Sequence, residues 1–167
     1  GISCTQVPQG GIFGVLDSGK PGITVLMRAD VDALPVEENK ENLSTTRCCI
    51  SRNKGVMHAC GHDGHLAVGL GVAQWIKDHA DQLCGKIKLV FQPAEEGTRG
   101  AQPMAESGIL DDVDFIVCTH IGSSVPLHQV AVCTHGYLAT TKLDIYFEGV
   151  PAHAGANPEK GRSALMA

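Results

Sequence analysis

Apolar runs that each end in metal-binding or proton-moving side chains limit the fold of this chain more than any other feature. The segment IFGVLDSGKPGITVLMRAD, residues 12–30, reads as two apolar strands around the turn signal Ser18-Gly19-Lys20-Pro21-Gly22, and its second strand runs out into Asp30-Val31-Asp32. KIKLVFQ, residues 86–92, is a strand stopped by Pro93 and followed by Glu95-Glu96. DFIVCTH, residues 114–120, is a continuous apolar run that ends in His120, which predicts a strand buried on both faces. Between the first and second of these sites, Leu66, Leu70, Ala73 and Ile76 recur at helical spacing from Gly64 to about Ala80. Between the second and third, a short helix is expected over residues 102–107, with Gly108 as its C-terminal stop. Strand, helix, strand, helix, strand predicts an α/β fold, a largely parallel sheet with helices packed on it. In such a sheet the strand ends share one edge, and the carboxyl edge is where ligands bind.

Composition narrows the function. Lys and Arg number 13 against 18 Asp and Glu, for a net charge of −5, and no basic run is present. Nucleic acid and anionic membrane surfaces are therefore excluded as expected partners. No apolar stretch approaches the ~20 residues that cross a bilayer, and signal-peptide features are missing. The seven cysteines are odd in number and form no C-x-x-C, so they do not read as a disulfide framework. Cys118 in FIVC and Cys133 in VAVC read as small apolar core residues, and the expected setting is reducing and cytoplasmic. Residues 37–54 are polar and without period, a surface loop.

After His135 the pattern changes. Leu143, Ile145 and Phe147 alternate with Asp144, Tyr146 and Glu148, which predicts a one-sided strand of an open-faced α+β sheet, and GRSALMA begins a helix. The expected division is a catalytic domain over residues 1–137 and the start of a second domain over 138–167.

The densest chemistry lies in MHACGHDGH, residues 57–65, with His58, Cys60, His62, Asp63 and His65. Thiolate, imidazole and carboxylate together bind Zn²⁺, Mn²⁺ or Co²⁺. Taken alone, Glu95-Glu96 is most often a solvated loop. Following a buried strand on the ligand edge, and beside such a cluster, one carboxylate can coordinate metal while the other faces bound water as a general base. An isolated His120 would more often bond to backbone; at the end of a strand on the same edge it makes a third ligand point. Asp30 and Asp32, on one side of their strand, either orient a metal-bound histidine or cap a turn. Cys60 as a thiol nucleophile, with His62 or His120 as base, leaves Glu95-Glu96 without a task.

RADVDALP, MHACGHDGH, FQPAEEG, THIG and AHAGANPEKGR resemble, in order and spacing, the di-metal aminoacylase/carboxypeptidase family of metallopeptidases, in its N-acyl-amino-acid and auxin-conjugate amidohydrolase branch. The stretches GTRGA, DDVDF and ATTK are closer still to the aminobenzoyl-glutamate-hydrolysing members. The resemblance implies a three-layer αβα zinc-peptidase-like catalytic domain, followed by the start of a ferredoxin-like lid or dimerisation domain. It implies two divalent metal ions, Mn²⁺ or Zn²⁺ with Co²⁺ or Ni²⁺ as alternatives, held by Cys60, His62, Glu96 and His120. Glu95 would be the general base, Asp32 a catalytic aspartate placed behind the metal ligands, and His153 the lid histidine that contacts substrate and polarises the scissile carbonyl. The implied reaction is hydrolysis of the amide bond of N-acyl or N-aroyl amino acids, aminobenzoyl-glutamate among them, in a homodimeric or heteromeric parent. Members of the family are longer and carry a further metal-binding histidine in a returning C-terminal half. The chain is thus expected to be a fragment, and a metal- or ligand-binding module without catalysis is the alternative.

Overall fold

The computed structural model describes residues 2–7, 10–41, 49–97, 99–132, 141 and 143–166. It divides into two compact units, Gly1–Pro126 and Leu127–Ala167. The domain boundary expected between residues 137 and 138 lies outside the described residues, as does Cys133.

The first unit is built on a five-stranded sheet of β1 (Ser3–Gln6), β2 (Ile12–Asp17), β3 (Thr24–Asp30), β4 (Lys86–Gln92) and β5 (Phe115–Cys118), in the order β1-β2-β4-β3-β5. The two strands of segment 12–30 form as expected but are not neighbours, because β4 lies between them. It runs antiparallel to β2, with Ile12 opposite Phe91, and parallel to β3, with Asp30 opposite Gln92. β3 and β5 are also parallel, with Arg28 opposite Cys118. The carboxyl ends of β3, β4 and β5 therefore share one edge.

Helix α1 (His62–Asp78) packs on β3 and β4. Its buried positions are His62, His65, Gly69 and Ile76, while Leu70 is exposed. The inward stripe is therefore offset from the one that the large apolar residues marked. Gly69 makes this contact possible: a Cβ there would lie 2.7 Å from Cε1 of Phe91 and 3.4 Å from Cβ of Ala29. On the other face of the sheet, Leu26 and Val90 form a core with Val7, Met104 and Ile109. The last two come from α2 (Ala101–Met104) and the π-helical turn Ala105–Ile109, where Gly108 at φ 81° ends the helical run. Helical layers thus cover both faces of the sheet, an αβα arrangement. Lys88, buried in β4, ties this layer down by donating to the carbonyl of Ile109 at 2.5 Å and to the carboxylate of Asp112.

Four expectations are corrected here. β5 is not buried on both faces: Phe115, Ile116 and Val117 are about half exposed, and Cys118 is exposed rather than in the core. Among the described residues β5 pairs with β3 alone and stands at the edge of the sheet, and an apolar run by itself does not say what covers it. Residues 143–149 form no strand either, and Leu143, Ile145 and Phe147 are exposed. A one-sided strand needs a hydrogen-bonding neighbour, and no described strand pairs with it. Val150 instead bridges to Arg162, and the expected helix is a single 3₁₀ turn at Ala164–Met166. Among the described residues no helix is long and apolar enough to cross a membrane.

Candidate metal centre

The shared carboxyl edge gathers the side chains singled out in the sequence. Gly61, at φ 85°, precedes α1 and turns the chain between Cys60 and His62. Cys60, His62 and His120 each offer a ligand atom, and these atoms lie within 4.8 Å of one another. His62, Glu95 and Glu96 do the same. Glu95 and Glu96 sit in a turn opened by Ala94 at φ 57° and closed by the Gly100 N–H donating to the Ala94 carbonyl at 3.0 Å. Gly100 is required there, because a Cβ would come within 1.9 Å of the Pro93 carbonyl oxygen.

Hydrogen bonds fix which imidazole nitrogen faces the centre. His62 Nδ1 lies 3.1 Å from both the carbonyl and Oδ1 of Asp32. Both are acceptors, so Nδ1 carries the proton and Nε2 points onward. That Nε2 is buried and has no hydrogen-bond partner among the described residues. Facing it are Oδ2 of Asp30 at 3.7 Å and Oε1 of Glu96 at 3.9 Å. Protonated or not, Nε2 is too far from either oxygen for a hydrogen bond, and a buried polar atom left so is costly. A cation shared with these anionic oxygens removes that cost. His120 behaves alike: Nδ1 donates to the carbonyl of Ile121 at 2.9 Å, and Nε2 lies 3.5 Å from Cys60 Sγ. The donor set of one thiol, two imidazoles and adjacent carboxylates fits a divalent ion of the borderline class.

The surrounding charges are set by the same contacts. Burial raises the Asp32 carboxyl, but the backbone N–H groups of Glu96 and Glu95 and the His62 hydrogen bond outweigh it and hold the group below its usual range. The Glu96 N–H reaches Asp32 Oδ2 at 3.0 Å. Asp30 is likewise raised by burial and brought down further by His65, Arg28 and His62. Arg28 pairs with it at 2.7 Å and also donates to Gln92 at 2.8 Å. Burial, a hydrogen bond to Glu96 and the charges of Glu96, Glu95 and Asp30 push the Cys60 thiol up to about 11. A nucleophilic cysteine needs the opposite shift, which argues against the thiol-enzyme reading.

Asp30 and Asp32 thus both orient histidines: Asp32 holds His62, and Asp30 holds His65 at 2.5 Å. The sequence marks His65 only as one potential ligand among five. Its spacing of three from His62 on one helix was the available signal that both face inward. His58 donates to the Asp32 carbonyl at 3.2 Å, and Asp63 is exposed. Both line a cavity of about 320 Å³, within the size range of small-molecule sites. His153 belongs to the second unit, where its Nδ1 accepts the N–H groups of Gly155 and Ala156, each at 3.1 Å.

Known proteins resemble the chain in sequence and in fold. Residues 26–162 match the profile of peptidase family M20/M25/M40. The chain is 51% identical over 159 residues to an indole-3-acetyl-aspartic acid hydrolase of Enterobacter agglomerans, covering 94% of this chain and 36% of that protein. It is 48% identical over 159 residues to one subunit of the p-aminobenzoyl-glutamate hydrolase of Escherichia coli strain K12, again covering 94% and 36%. Among solved structures, a dinuclear metal-binding peptidase of the M20 family from Bacillus subtilis superposes with a TM-score of 0.65 at 34% identity, over 75% of this chain and 34% of that one. An aminobenzoyl-glutamate utilization protein from Klebsiella pneumoniae gives 0.63 at 40% identity, over 93% and 34%. The chain spans little more than a third of the length of these relatives.

Proposed function

The chain belongs to peptidase family M20/M25/M40, and from that premise we propose that it supplies the metal-binding face of an amidohydrolase acting on N-acyl or N-aroyl amino acids. The observation that carries the reading is the buried, unpartnered Nε2 of His62 converging with Cys60 and His120 beside Glu95-Glu96. Cys60, His62, Glu96 and His120 are the proposed ligands of divalent ions, with Mn²⁺ or Zn²⁺ as the first choices. Bound ions supply Lewis acidity, which polarises a carbonyl and brings the pKa of coordinated water to about 7.

The protein groups do the rest. Asp32 keeps the proton of His62 on Nδ1 and, through the Glu96 N–H, fixes the start of the carboxylate pair. Glu95, the more exposed carboxylate of the two, takes the proton of the attacking water and passes it to the leaving amine. General acid–base help of this kind contributes roughly 10²–10⁴-fold. His153, with Nδ1 occupied by two backbone N–H groups, has its proton on Nε2 and can donate it to the substrate carbonyl. A catalytic domain over residues 1–137 and a lid beginning at 138 are part of this proposal. The two hydrolases named above act on conjugates of acidic amino acids, aspartate and glutamate, which supports that substrate class here. The second is named as one subunit of a hydrolase, which supports a heteromeric assembly, and a homodimeric alternative and a cytoplasmic setting are proposed with it.

The test is Glu95→Gln assayed on p-aminobenzoyl-glutamate and indole-3-acetyl-aspartate, with bound metal measured in parallel. Loss of turnover with metal retained is expected. Turnover that survives the substitution removes Glu95 as base, and metal binding without hydrolysis by either form leaves a binding module only.

A further inference from the structure

His65 and Asp30 are among the largest fully buried side chains of the protein, together with His62. Asp30, His62 and His65 also form a cluster with metal-ligand spacing. Yet His65 has no nitrogen to spare. Its Nε2 lies 2.8 Å from the backbone N–H of Ile121, which can only donate, so Nε2 is the acceptor and carries no proton. Its Nδ1 therefore holds the proton and gives it to Asp30 Oδ1. Arg28 occupies the other Asp30 oxygen. His65 is thus fixed from behind by a charged, buried network.

The residue it grips matters. Ile121 follows His120, and the Ile121 carbonyl accepts the Nδ1 proton of His120. One residue thus has its N–H held by His65 and uses its C=O to set the tautomer of His120. The Ile121 side chain adds a third hold, since it fills the space beside α1 that a Cβ at Gly64 would enter, 2.3 Å from its Cδ1. We infer that Asp30 and His65 are positioning residues rather than metal ligands: acting through the backbone of Ile121, they hold His120 with Nε2 aimed at Cys60. This rests on the reading of His120 as a ligand, and it explains why an exposed segment after an edge strand delivers a ligand at a defined point.

The experiment uses His65→Asn, which loses the acceptor that reaches Ile121, and His65→Gln, whose amide oxygen falls near the position of Nε2 and keeps it. Two readings on the metal-free wild type come first, by ¹⁵N-resolved NMR. His65 and His120 are both expected as Nδ1–H tautomers, and the Ile121 amide is expected to exchange slowly. An Nε2–H tautomer at His65, or a freely exchanging Ile121 amide, overturns the inference. Co²⁺ alone is then titrated into each variant, following its thiolate charge-transfer band, with urea unfolding of the metal-free forms measured alongside. His65→Asn should lower Co²⁺ affinity by roughly 10–100-fold, the usual effect of losing a support behind a ligand, while His65→Gln, which keeps the acceptor for Ile121 but gives up the proton donated to Asp30, should lose clearly less. In a His120→Ala background His65→Asn should cause no further loss. An equal loss in both backgrounds, or a Gln variant as weak as Asn, shows a merely structural role and overturns the inference. If His120→Ala itself leaves Co²⁺ affinity unchanged, the ligand assignment fails, while the NMR readings still decide whether the clamp exists.

Discussion

Two glycines of α1, two residues apart, should respond to the same substitution with opposite signs. Alanine in a helix interior is favoured over glycine by about 1 kcal/mol. At Gly71 nothing lies within 4 Å of the added methyl group, so Gly71→Ala should gain most of that, about 0.5–1 kcal/mol. At Gly69 the methyl would meet Cε1 of Phe91 at 2.7 Å, Cζ at 3.2 Å and Cβ of Ala29 at 3.4 Å. These are an aromatic ring and a methyl group on sheet residues, not the tips of flexible chains, so α1 has to move. Overpacking of this kind costs about 1–3 kcal/mol, which cancels the helical gain and leaves a net loss of up to about 2 kcal/mol. Urea unfolding followed by helical circular dichroism measures both, with the slope expected to stay constant. Because α1 opens with His62, Gly69→Ala should also weaken divalent-metal binding, and Gly71→Ala should not. If Gly69→Ala stabilises as much as Gly71→Ala, the close approach of helix and sheet is not what the glycine serves.

Lys88→Met should destabilise by about 1–3 kcal/mol in the same assay, because it strips the donor from the Ile109 carbonyl. The neighbouring ion pair gives a pH signature. Lys88 beside Asp112 holds that carboxyl below its usual range, so its contribution is present above the unfolded value of about 3.9 and disappears as pH falls through the lower folded value. Asp112→Asn should therefore lower stability at neutral pH, change little once pH is below the folded value, and so flatten the acid limb of the stability curve. In the metal-free protein, alkylation of Cys60, followed by peptide mass mapping, should be slow at neutral pH and rise towards the thiol's value of about 11. A Cys60 that reacts faster than exposed Cys84 at pH 7 would contradict the crowding of carboxylates around it.

Much of the site was legible because its residues sit at the ends of strands whose limits the sequence marks. Pro93 stops β4 at Gln92, so the position of Glu95-Glu96 on the ligand edge followed from a breaker and a parallel sheet. The pairing of Asp32 with His62 is one of two alternatives that the sequence leaves open, and side-chain contacts were needed to choose it. What escaped notice depends on neighbours. The inward stripe of α1 includes Gly69, which no search for apolar residues picks out, because there the absence of a side chain is what packs. The exposure of β5 and the missing strand at 143–149 have a related cause: an apolar pattern records a residue's preference, and only a partner satisfies it. His65 was visible as a residue but not as a support, since its role lies in bonds to Asp30 and to a backbone amide 56 positions away.

The placement of β4 between β2 and β3 has a consequence for how the protein is made. The strands on either side of it are complete by residue 30, while β4 begins at residue 86, 56 positions later. At synthesis rates of about 5–20 residues per second, that gap lasts roughly 3–11 s. Throughout it, the nascent chain carries two strands whose shared partner has not yet left the ribosome, each with an edge that could pair wrongly. Early shielding by a chaperone, or slowed joining of the two strands by the polar stretch that follows them, would decide the yield of folded protein before the residues of the metal centre had all been translated.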